Sequence, residues 1–204
     1  MNGTVASRKF GHNMAALALT FCCTRAEAHL NATGMGPAYD GVLHFLTSPE
    51  DLVPAIAVVL LAGLRGAQFG RRAMFALPAS WLAGIVLGAT TAAVNTGLLW
   101  PSLWFVALGV LVVADAKLSL RAMAALCAVL GLGHGFLNGT GMGLSASAFV
   151  AALGLISAVF ILSALVAALV VSVRVHWARM AVRVGGSWIA ASGVLMLGWS
   201  LRGG

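Results

Sequence analysis

Between residues 45 and 201 the chain is a succession of apolar runs separated by short gaps. Six runs stand out, near 45–64, 74–94, 97–114, 120–140, 146–172 and 184–201. Each is close to the ~20 residues that a membrane-crossing helix needs. Inside lipid every backbone amide and carbonyl must be satisfied within its own segment, so a chain of this kind folds as a helix bundle. The charge content agrees: 8% of the 204 residues are charged and 61% are hydrophobic, against about 25% charged in soluble domains. The expected fold is therefore an all-α polytopic membrane protein, a bundle of six transmembrane helices. The gaps are too short to hold a separate soluble domain.

The formal charge is +7, but the bases form no arm or patch suited to nucleic acid, so no nucleic-acid partner is expected. They fall in alternate gaps: Arg65, Arg71 and Arg72 in the first, Lys117 and Arg121 in the third, and Arg174, Arg179 and Arg183 in the fifth. The second and fourth gaps contain no Lys or Arg. This asymmetry puts the odd gaps in the cytoplasm. The first 28 residues read as a cleavable signal peptide, with Arg8 and Lys9 before the apolar core MAALALTFCC and AEA at 26–28 as the cleavage pattern. Cleavage leaves residues 29–204 as one domain that begins at His29. Its N-terminus is then outside, and six crossings return the C-terminus there, in agreement with the charge pattern. Of the three cysteines, Cys22 and Cys23 leave with the signal and Cys127 stands alone, which excludes a disulfide framework or a Cys-rich metal site. Trp100, Trp104, Trp177 and Trp199 lie near run ends, where indoles anchor at the membrane interface.

So few polar residues remain that their positions carry information. Asp115 and His176 belong to the cytoplasmic edge, where a solvated or ion-paired role suits them. His29, Asp40, His44, Glu50, Asp51 and His134 fall on the outer side or in the outer half of the membrane. In HFLTSPEDLVP (44–54), Ser48-Pro49-Glu50-Asp51 fits a capping box with proline at the first helical position. The same acids, with His44 nearby, also suit a divalent cation such as nickel, cobalt or zinc. Both readings stand together. After cleavage His29 offers an amine and an imidazole as a chelating pair, or simply a loose chain end.

GLGHGFLNGTGMG (131–143) carries six glycines and a histidine inside an apolar run. His134 and Asn138, four residues apart, share a helix face. Gly131, Gly135 and Gly139 repeat at the same spacing and admit a close neighbour. Taking the first run as that neighbour brings His44, Glu50 and Asp51 to His134. The bland alternative is a histidine that hydrogen-bonds an adjacent helix.

These stretches resemble the HupE/UreJ family of hydrogenase/urease accessory proteins, regarded as nickel or cobalt permeases. That family has a histidine just after a cleaved signal, a first-helix motif like HPxxGxDHxxxM and a later HGxxHG. Here His29 follows the cleavage site, HFLTSPEDLVPA stands at the first motif and HGFLNG at the second. By this match His44 and His134 keep the motif histidines, Glu50-Asp51 replaces Asp-His, and Asn138 replaces the second histidine. The resemblance implies an inner-membrane permease for a divalent transition metal in a bacterial plasma membrane. Its metal would be bound by His29, Asp40, His44, Glu50, Asp51, His134 and Asn138, with no resident cofactor and with metalloenzyme maturation partners.

The runner-up is a membrane accessory protein that binds or delivers metal without transporting it. HGFLN with Gly143-Leu144-Ser145-Ala146 is also similar to rhomboid-type proteases. However, Ser145 follows Asn138 by only seven residues and the last run has no histidine to act as base, so no enzyme is expected.

Overall fold

A computed structural model describes residues 34–172 and 176–202. The expected signal peptide, His29 and Arg174 lie outside the described residues. Among those described there are seven helices and no strand: α1 (Pro37–Thr47), α2 (Pro49–Leu64), α3 (Ala67–Gly88), α4 (Leu99–Val113), α5 (Leu120–Met142), α6 (Ala146–Ser172) and α7 (His176–Arg202).

Helices α5 and α6, together with Arg179–Arg202 of α7, are long and apolar enough to cross a membrane; α1 and α2 make a fourth such element if the bent pair is one span. Helix α4 is apolar but has 15 residues. The 22 residues of α3 include Arg71 and Arg72 near its start, where long side chains can carry their charge back towards the interface.

The first run differs from its expected form. Residues 45–47 belong to α1, and the chain turns by 72° before α2 begins. Pro49 explains the break, because a proline disfavours helical geometry in the residue before it, and Ser48 is extended (φ −94°, ψ 96°). Ser48 does cap α2 with Pro49 at the first helical position, but its side chain makes no capping bond. The Ser48 amide instead donates to the His44 carbonyl and closes α1 (3.0 Å). The reciprocal capping box therefore does not form, and the Asp51 carboxylate is released for other work.

Helix α2 is the axis of the molecule. It touches all six other helices, and nine of its 16 residues are buried. Around it, Phe45, Val58, Leu61, Leu77, Trp81, Met123, Leu130 and Leu155 form the apolar core. Phe45 meets Trp81 edge-on at 5.8 Å. The most extensive helix pairing is α3 against α5. There the glycine row does its work: a Cβ on Gly135 would strike the Trp81 carbonyl, and one on Gly139 would strike that of Ile85. The row therefore faces α3, not the first run as expected. A single contact surface cannot serve both neighbours, and Gly84 and Gly88 make α3 the better fit by admitting the backbone of α5 in return.

At the far end of α2 a second polar group forms. Arg65, the C-cap of α2, pairs with Asp115 in the α4–α5 turn. The other Asp115 oxygen accepts from Arg179 of α7 at 3.4 Å. Arg183 donates to the Val113 carbonyl (2.7 Å). The expected edge role of Asp115 is thus ion pairing, with Arg65 and Arg179.

Candidate metal site

Two helices supply the heart of the site. Asp51 sits in the first turn of α2, where a carboxylate suits the positive end of the helix dipole. His134 and Asn138 lie one turn apart on α5. Asp51 Oδ1 meets His134 Nδ1 at 2.8 Å, and Asn138 Nδ2 donates to Asp51 Oδ2 at 3.0 Å. Asp51 and His134 are 3% and 2% exposed, so these bonds are made away from water.

A carboxylate oxygen only accepts, so the Asp51 contact places a proton on Nδ1, and in the neutral tautomer with that proton Nε2 carries the lone pair. His134 Nε2 and Asn138 Oδ1 are buried and have no hydrogen-bond partner among the described residues. A buried polar atom without a partner costs roughly 1–3 kcal/mol, so both are open to a ligand. The His134 ring is held between tryptophans, with centroids 5.4 Å from Trp81 and 6.2 Å from both Trp100 and Trp104. Gly133 makes this possible, since a Cβ there would strike the Trp100 ring. Trp100 and Trp104, expected as interfacial anchors, therefore serve as walls of the site, whereas Trp177 and Trp199 are 70% and 73% exposed.

The network opens into a cavity of about 500 Å³ lined by His44, Glu50, Asp51, His134 and Asn138. Residues 93–98, in the link between α3 and α4, and Met142 and Met196 also line it. His44 stands half-buried in the last turn of α1, and Glu50 is exposed. Pro54 has no amide proton, so the Glu50 carbonyl also lacks its usual intrahelical donor. Asp40, half-buried in the first turn of α1, does not line this cavity. Among the described residues no three His, Cys, Asp or Glu side chains are grouped to hold a metal ion. The structure thus joins Asp51, His134 and Asn138 directly, leaves His44 and Glu50 on the wall of the same cavity, and sets Asp40 apart.

Sequence reasoning did not single out Trp81, the two methionines or residues 93–98. Trp81 is fully buried and reads in sequence as one more apolar core residue. Ser145, the serine of the protease pattern, caps α6 through Ala148 N (3.0 Å) and meets Ser147 Oγ.

The family model for the HupE / UreJ protein matches residues 17–196. The chain belongs to the HupE/UreJ family. The HupE/UreJ family is a metal permease and accessory family linked to nickel and cobalt handling, not an enzyme class, and membership agrees with the apolar helices of a membrane protein. No curated protein and no solved structure matches the chain.

Proposed function

We propose that this HupE/UreJ protein is a multi-pass inner-membrane permease for a divalent transition metal ion of the nickel or cobalt type. The observation that carries the reading is His134, whose Nδ1 is held by Asp51 while Nε2 is left unpartnered at the cavity. Metal-binding histidines commonly donate their other N–H to a carboxylate, which fixes the tautomer and raises ligand basicity. In this arrangement Asp51 orients the ligand, and His134 Nε2 with Asn138 Oδ1 replaces water around the ion. His44 and Glu50 receive it at the cavity wall, with His29 and Asp40 gathering ions further out. Binding must stay weak enough for release on the other side.

The six runs are the six crossings in this reading, with α1–α2 as a broken first span and α4 as a short one. Broken helices at membrane depth are tolerated where they line a cavity. The alternating bases put the Arg65–Asp115 end in the cytoplasm and the cavity outside.

The accessory reading draws on one observation. Between Asp51 and Arg65 the flank of α2 is sealed by apolar side chains, among them Val58, Leu61, Leu77 and Met123. A protein that only binds and hands over metal needs no path through that layer.

Uptake of Ni²⁺ and Co²⁺ into proteoliposomes separates the readings. The permease predicts flux that His134→Ala and Asp51→Ala both abolish. Binding without flux supports the accessory role, and equal flux in all three proteins would sink the site.

A further inference from the structure

A second cavity, of about 300 Å³, lies at the opposite end of α2 and takes no part in the metal site. Its wall is apolar: Leu60 and Leu64 of α2, Leu169 and Val170 of α6, and Trp177 and Val182 of α7. Arg179 also lines it, with 48% of its side chain exposed. A slot of this kind, apolar within and cationic beside it, matches the two-part chemistry of a lipid.

The charges beside the slot specify which lipid. Arg65 and Arg179 share the single carboxylate of Asp115, so one positive charge is left over. The two guanidinium groups are close enough to disturb each other: burial first, and then the charge of Arg179, lower the pKa of Arg65 from its ordinary value. The Nε of Arg65 is buried and has no hydrogen-bond partner among the described residues. An anion at Arg179 would relieve this crowding, whereas a zwitterionic headgroup brings a second cation with its phosphate. Basic pockets between membrane helices on the cytoplasmic side are favourable places for anionic headgroups. The same end of the molecule carries Lys117, Arg121 and Arg183, and the exposed Trp177 indole suits the interface where a headgroup lies.

We infer that the α2–α6–α7 cavity is a binding site for an anionic phospholipid, with an acyl chain among Leu60, Leu64, Leu169 and Val170 and the phosphate on Arg179. The occupant ties α7 to the foot of the central helix. The site is independent of the metal reading and stands or falls without it.

The test is lipid competition on the purified full chain in detergent. The protein is equilibrated with equal amounts of phosphatidylglycerol and phosphatidylcholine, and retained lipid is counted by native mass spectrometry. Wild type should retain phosphatidylglycerol in preference. Arg179→Gln should cut that preference about fivefold, the equivalent of the ~1 kcal/mol that one basic residue contributes near an anionic surface. Ala181→Phe, at an exposed position on the cavity wall, should lower retention of both lipids by filling the slot. Equal retention of the two lipids by wild type, or an Arg179→Gln preference equal to that of wild type, would overturn the inference. So would displacement of phosphatidylglycerol by millimolar inorganic phosphate, which would mark a site for free anion alone. Metal uptake is not part of the readout.

Discussion

At each end of helix α2 a carboxylate meets two nitrogen-bearing side chains, but the two ends balance their polarity differently. Asp51 and Arg65 lie on one helix, about 21 Å apart at 1.5 Å per residue. At the Arg65 end charge meets charge: two guanidinium groups converge on Asp115, and the side chains remain partly exposed. At the Asp51 end a carboxylate is satisfied by an imidazole and an amide. Two atoms of that network, His134 Nε2 and Asn138 Oδ1, are left over beside a cavity. One end is an electrostatic clamp between helices. The other is a buried polar group with two atoms left unpaired among the described residues, as the proposed ligand site requires.

That contrast can be broken most sharply at Asp51. Asp51→Asn keeps the shape but removes the charge that orients His134, so metal affinity should fall about 10–100-fold, read by titration of the purified protein with Ni²⁺. An unchanged affinity would remove Asp51 from the site. Asn138→Ala should cost less, about tenfold, since it deletes one hydrogen bond to the carboxylate along with the spare amide oxygen. At the other end, Asp115→Asn should leave Ni²⁺ affinity at the wild-type value. Its effect should appear as a loss of roughly 1–3 kcal/mol of stability in denaturant unfolding, because Arg65 would then face Arg179 without a counterion. Any large change in metal affinity in Asp115→Asn would mean that the two ends do not have separate tasks. The smallest effect is expected from Arg183→Gln, which removes one exposed bond to the Val113 carbonyl; unfolding should shift by at most about 1 kcal/mol.

Much of this contrast was legible in the sequence because a membrane chain has few polar residues to distribute. The spacing of His134 and Asn138 puts them on one helix face, and the acids of HFLTSPEDLVP are the polar groups another segment can bring to them. The ion-paired role open to Asp115 is met by Arg65 and Arg179, partners that its place beside Lys117 does not reveal. Three features were hidden because they depend on which surfaces meet. Ser48-Pro49-Glu50-Asp51 reads equally well as a capping box, and only the use of the Ser48 amide by α1 shows that the box stays open. The glycine row announced a close neighbour without saying which; the choice of α3 follows from Gly84 and Gly88, whose spacing mirrors it. The tryptophans were ambiguous for a related reason, since an indole near a helix end suits the interface and a ring-lined cavity alike. Run boundaries also shifted where Arg71, Arg72, Arg179 and Arg183 lie within helices, because long basic side chains let a helix extend past its apolar part.

The α3–α5 seam also sets a height. Gly131, Gly135 and Gly139 interleave with the carbonyls of α3, and Gly84 and Gly88 with those of α5. Sliding α5 by one residue would press side chains into those carbonyls. Only a jump of a full turn would restore a partial fit. The imidazole of His134 is therefore held at one level along α3 as a pin is held in a notch. In the proposed permease, an ion arriving at the cavity finds its nitrogen donor at a fixed height, set by the absence of five side chains.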